Sequence, residues 1–122
     1  MWLIKAMNDL KSAEKLIEGD EPILDTAIYH TQQCAEKALK AYISYKQQPV
    51  IKTHDLELLV EISSSFDKSF NALYEDTEIL NPYDTEFRYP DTILEPDMED
   101  VRDAIEKAKN VLSFVKEKTG MD

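Results

Sequence analysis

Apolar residues along this chain recur at steps of three and four, the period of helices that each bury one face. Over residues 2–17 the recurring positions are Leu3, Ala6, Met7, Leu10, Ala13 and Ile17. Lys5, Asp9, Lys11, Glu14, Lys15 and Glu18 ride mostly on the other sides of that helix. Gly19-Asp20-Glu21-Pro22 stops it, with Gly as the C-terminal cap and Pro barring continuation. Residues 27–45 contain neither Gly nor Pro. There Ala27, Ile28, Cys34, Ala35, Ala38, Leu39, Ala41, Tyr42, Ile43 and Tyr45 fall on one arc, broad enough for a helix packed on several sides. Asp20 or Asp25 is the expected cap. After the break at residues 47–52, Thr53 is expected to cap a third helix whose first turn holds Asp55 and whose apolar face is Leu56, Leu59, Val60 and Phe66. Ser63-Ser64-Ser65 reads as a loop or cap. Phe66, Phe70, Leu73, Thr77 and Leu80 then mark a fourth helix that ends near Asn81-Pro82. The last begins near Pro96, with Asp97, Glu99 and Asp100 at the positive end of its dipole. Its stripe is Val101, Ala104, Ile105, Ala108, Val111, Leu112 and Val115. The pattern predicts an all-α, up-and-down bundle of four to five helices, in a single domain over residues 1–122.

One polar stripe interrupts the central helix. His30, Gln33, Lys37, Lys40 and Ser44 follow at steps of three and four, with Glu36 beside them. The stretch over residues 83–96 has no period and contains Pro90, Pro96, Tyr83, Tyr89 and Arg88. An ordered loop of that length inside a small domain is often functional.

Charge sharpens this picture. The chain has 25 acidic and 14 basic side chains, a net charge of −11, which argues against binding bulk nucleic acid through many phosphates. Over residues 71–100 there are ten acids and one base, Arg88. A lone guanidinium among carboxylates either clamps the fold, by pairing with Glu36 or Asp9, or holds an anion. Only two glycines, Gly19 and Gly120, occur, so no Gly-rich phosphate loop exists. Cys34 is the lone cysteine and no apolar run is long enough to span a bilayer, so a cytoplasmic protein without a membrane role is expected. His30 and His54 lack the spacing of a zinc site, and neither metal nor cofactor is expected. What remains is phosphate or carboxylate recognition: Lys37, Lys40 and Arg88 as cations, Gln33 and His30 tuning the pocket, Tyr89 or Tyr83 stacking on a base, and Tyr89 packing beside the ligand or fixing the loop. His54 would stand among free N–H groups at a helix start. For each of these the plain alternative is a solvated edge, a structural histidine or a cap.

Four motifs in order resemble the HEPN (higher eukaryotes and prokaryotes nucleotide-binding) domain family. They are Asn8-Asp9-Leu10 followed by Ala13, the core from Tyr29-His30-Thr31-Gln32-Gln33-Cys34 through Ala41, Thr53-His54-Asp55-Leu56, and Arg88-Tyr89-Pro90-Asp91 before the last helix. The resemblance implies a homodimeric helical bundle that binds a nucleotide, or acts with a minimal nucleotidyltransferase in a two-component or toxin–antitoxin system. Ribonucleases of the family carry Arg followed within a few residues by His. Here no histidine follows Arg88 or Arg102, so no catalysis is expected. The alternatives are a metal-independent ribonuclease toxin whose His30 or His54 reaches Arg88 by folding or across a dimer, and a non-catalytic protein–protein adaptor.

Overall fold

A computed structural model describes residues 1–88, 90 and 95–121. Its α-helices are α1 (Trp2–Leu16), α2 (Leu24–Tyr45), α3 (Leu56–Ser64), α4 (Tyr74–Leu80) and α5 (Met98–Thr119). Two 3-10 helices, Lys68–Leu73 and Asn81–Asp84, precede and follow α4. Among the described residues there is no strand, and no helix is long and apolar enough to cross a membrane.

The short turn after α1 folds α2 back along it, and α2 becomes the hub on which α1, α3, α4 and α5 pack. Its arc is buried as the period requires, from Ala27 and Ile28 through Ala38, Leu39 and Ile43, except that Ala41 is half-buried and Tyr45 projects into solvent. All seven stripe residues of α5 are buried against it. Phe70 joins the two helices across the 3-10 segment: its ring lies 4.2 Å from that of Tyr42 and meets Phe114 edge-on at 4.9 Å. Such aromatic pairs contribute roughly 0.5–1.5 kcal/mol each beyond their buried area.

The helix ends differ from expectation. Neither Asp20 nor Asp25 caps α2: Ile23 holds that position without a side-chain bond, and Asp25 lies in the first turn. Asp55, not Thr53, caps α3, accepting from the N–H groups of Glu57 (3.0 Å) and Leu58 (3.4 Å). Thr53 instead accepts from the N–H of Asp55. Ser63 and Ser64 continue α3, and Phe66 is exposed. The expected fourth helix is split. Phe70, Leu73, Thr77 and Leu80 are buried as spaced, but Ser69 and Asn71 are poor helix formers, and their turn is 3-10. At α5, Asp97 and Asp100 form a reciprocal capping box, and Gly120 closes the far end at φ 68°.

Candidate functional site

The polar stripe of α2 is neither a wet edge nor a free cationic surface. Its two ammonium groups are spent on buried carboxylates. Lys37 Nζ stands 2.7 Å from Asp9 Oδ2, and Lys40 Nζ 3.0 Å from Glu36 Oε2. The Lys40 and Glu36 side chains are only 7% and 4% exposed, and the Lys40 ammonium also lies 5.4 Å over the Trp2 ring. Asp9 is likewise buried, although the pattern of α1 placed it on the outer sides. Lys37 and Lys40 therefore anchor α1 and α2 and do not line the clefts around Arg88.

Each buried carboxylate also holds a histidine. His30 Nδ1 is 2.8 Å from Asp9 Oδ1, and His54 Nδ1 is 2.8 Å from Glu36 Oε1. An ionised carboxylate only accepts, so each Nδ1 donates. Gln33 completes the shell: its amide donates to Gln32 Oε1 at 2.8 Å and toward Glu36 Oε1 at 3.5 Å. Gln32 in turn donates to the His54 carbonyl at 2.9 Å, pinning the segment before α3. His54 does not stand among free N–H groups. The first N–H groups of α3 bond Asp55 and Asn81, so that helix start offers no anion site.

Arg88 reaches the same face from the segment after α4. Asn81 accepts from Leu56 N–H at 2.8 Å, Pro82 starts the 3-10 turn, and Glu86 N–H donates to the Pro82 carbonyl. Tyr83 is half-buried, its ring 6.0 Å from Phe87, and both pack on the core. These anchors set the Arg88 guanidinium 4.2 Å above the ring of Tyr29. Glu36 and Asp9 are already paired, and among the described residues no carboxylate bonds Arg88. Tyr89 lies outside the described residues.

The Arg88–Tyr29 stack is the shared wall of two clefts. One, of about 240 Å³, is bounded by Asp25, Thr26, Tyr29, His30, Phe87 and Arg88. The other, of about 180 Å³, is bounded by Tyr29, Gln33, His54, Asp84, Thr85 and Arg88. Four expected residues, His30, Gln33, His54 and Arg88, thus converge although they come from three separate stretches of chain. Tyr29 was missed, yet stepping four residues back from Gln33 reaches it. Asp9 was read on the outer side of α1, yet Ala6, Asp9 and Ala13 continue the three–four spacing of the buried face.

Chemically, the stack offers a guanidinium fork and an aromatic face for a planar or phosphorylated ligand. Cys34 does not add a nucleophile. Burial, and then the Asp9 charge, push its thiol up to about 12. No cluster of three His, Cys, Asp or Glu groups suited to a metal ion occurs among the described residues.

Comparison with known proteins agrees with this architecture. The chain is similar over 96% of its length to TT1696 from Thermus thermophilus, whose crystal structure superposes with a TM-score of 0.77 at 27% identity over 94% of that chain. The fold is also that of ST0689, an archaeal HEPN homologue, with a TM-score of 0.73 at 24% identity, over 97% of this chain and 94% of that one. No curated protein matches it significantly. The model of the HEPN domain matches residues 1–118, a span that takes in α1 with Asp9, α2 with both histidine-bearing networks and the Arg88 segment. The chain belongs to the HEPN domain family.

Proposed function

We propose that this protein is a nucleotide-binding module, homodimeric and without catalysis of its own, that acts beside a minimal nucleotidyltransferase in a two-component system of the toxin–antitoxin type. The observation that carries the nucleotide reading is the Arg88 guanidinium stacked 4.2 Å over Tyr29, at the wall between two clefts. Arg88 supplies the phosphate contact, Tyr29 and Phe87 the apolar faces, and His30, Gln33 and His54 the polar lining. Buried carboxylates fix both imidazoles, so the site is organised before a ligand arrives. The partnership and the dimer rest on the family, in which HEPN domains commonly dimerise. A net charge of −11 suits a basic docking surface on the partner.

Calorimetric titration with nucleoside triphosphates tests the reading. Saturable binding to the wild type should weaken about tenfold to a hundredfold in Arg88→Ala, the loss typical of one charge-assisted contact. No saturable binding at millimolar ligand would leave the protein-partner role alone.

A second reading has one observation in its favour: His30 and His54 each share a cleft with Arg88. That is an arrangement a metal-independent ribonuclease can use, one imidazole as base and one as acid, with Arg88 on the phosphorane charge. RNA cleavage in chelator that disappears in both Arg88→Ala and His54→Ala would establish it over the first.

A further inference from the structure

A third depression lies in series with the other two. A groove of about 520 Å³ between α1 and the start of α2 is lined by Asn8, Lys11, Ser12, Lys15 and Leu16 on one side and Thr26 and His30 on the other. Thr26 and His30 are also walls of the 240 Å³ cleft beside Arg88, so the two spaces adjoin. Their charges differ in kind. The cleft beside Arg88 contains the Asp25 carboxylate, and the cleft beyond it contains Asp84. The α1 groove has no carboxylate among its walls and has two ammonium groups. Among the described residues Lys11 has no carboxylate partner. Lys15 has only Glu18 at 3.8 Å, an exposed and therefore weak pair. Lys11 and Lys15 stand one helical turn apart, roughly 6 Å between Cβ atoms, and their flexible stems let both ammonium groups reach one phosphate chain.

Resting on the nucleotide reading above, we infer that the ligand is a nucleoside 5′-polyphosphate bound in one direction. Its nucleoside and first phosphate occupy the Tyr29–Phe87–Arg88 cleft, and its phosphate chain runs past Thr26 and His30 to end on Lys11 and Lys15. The direction follows from the charges. Asp25 opposes a build-up of negative charge in the first cleft, whereas the terminal phosphates, which carry the most charge, meet only cations and neutral donors in the groove. Lys11 and Lys15 then set selectivity for the number of phosphates, while Arg88 sets binding of the nucleotide as such.

The experiment is a titration of the full chain with AMP, ADP, ATP and inorganic tripolyphosphate at fixed salt. It is run on the wild type, on Lys11→Ala/Lys15→Ala, and on Lys52→Ala/Lys68→Ala, which makes the same change in net charge outside the three depressions. For the wild type, affinity should rise about threefold to tenfold with each added phosphate, the range of one solvent-screened ion pair to one charge-assisted contact. Tripolyphosphate should compete with ATP. In Lys11→Ala/Lys15→Ala the AMP affinity should stay and ATP should fall to meet it, while the control pair keeps the ladder. Equal wild-type affinities for AMP and ATP would overturn the inference and leave nucleotide binding standing, as would a ladder that survives loss of both lysines. No binding of any nucleotide would overturn both.

Discussion

Glu36 carries more structural consequence than any other single side chain in the site. Its carboxylate is 4% exposed and takes Lys40, His54 and a longer contact from Gln33. Removing it in Glu36→Ala strands an ammonium that is itself only 7% exposed. Breaking one partner of a buried pair typically costs about 3–5 kcal/mol, because the other charge stays desolvated. Urea unfolding should register a loss of that size, and Glu36→Ala/Lys40→Met should recover most of it. A loss below about 1 kcal/mol in the single variant would mean that water reaches Lys40. Of this arrangement the sequence showed only positions. His30, Lys37 and Lys40 were legible as one stripe, and Asp9 interpolates between two buried alanines. The pairing was not legible: Asp9 lies 21 residues from His30 and 28 from Lys37, and only the packing of α1 on α2 decides which cation meets which acid.

At the scale of elements, periodicity and caps were legible to different degrees. The stripe of α5 and the Phe70–Leu80 spacing are buried as read, because each position has three or four like neighbours that vote together. Caps rest on single residues. Thr53 and Asp55 are both good caps two residues apart, and the choice falls to Asp55 because Asn81, from beyond α4, bonds Leu56 N–H and Asp55 itself. Asp67 is a similar local device with a long-range arm. It caps the first 3-10 helix through Ser69 N–H at 2.9 Å and takes the Ser69 hydroxyl at 2.6 Å. It also reaches Lys118 of α5 at 2.9 Å. The Ser69 hydroxyl first, and then Lys118, hold its carboxyl down to about 2. A carboxyl depressed in the folded state stabilises the fold above its unfolded pKa, near 3.9, and that contribution is lost as pH falls toward 2. Wild type should therefore melt above Asp67→Asn at pH 6, with the gap between the two closing from pH 4 to pH 2. A gap that stays constant across that window would mean that the carboxylate charge contributes nothing there.

The molecule as a whole is strongly acidic, and three of its 14 basic residues, Lys11, Lys15 and Arg88, line adjoining depressions. The run of ten acids around one arginine over residues 71–100 was legible. The track that joins Lys11 and Lys15 of α1, His30 of α2 and Arg88 was not, since its members are brought side by side only by the turn after α1 and the anchoring of residues 81–88. Two electrostatic effects of opposite sign follow. A net charge of −11 repels itself in the compact state, and this repulsion is relieved when salt shortens the screening length from about 30 Å at 0.01 M to about 8 Å at 0.15 M. The proposed attraction between a polyphosphate and Lys11, Lys15 and Arg88 is screened by the same ions. Raising sodium chloride over that range should thus raise the thermal midpoint of the free protein while weakening ATP binding by about threefold to tenfold. The contrast is informative because a general change in the fold would move both quantities together. If ATP affinity held constant as the midpoint rose, contact with the phosphates would not be electrostatic, and the weight of recognition would pass to the Tyr29 and Phe87 faces. If both fell, the acidic surface would already be neutralised by its own ion pairs, and the self-repulsion assigned to it would be absent.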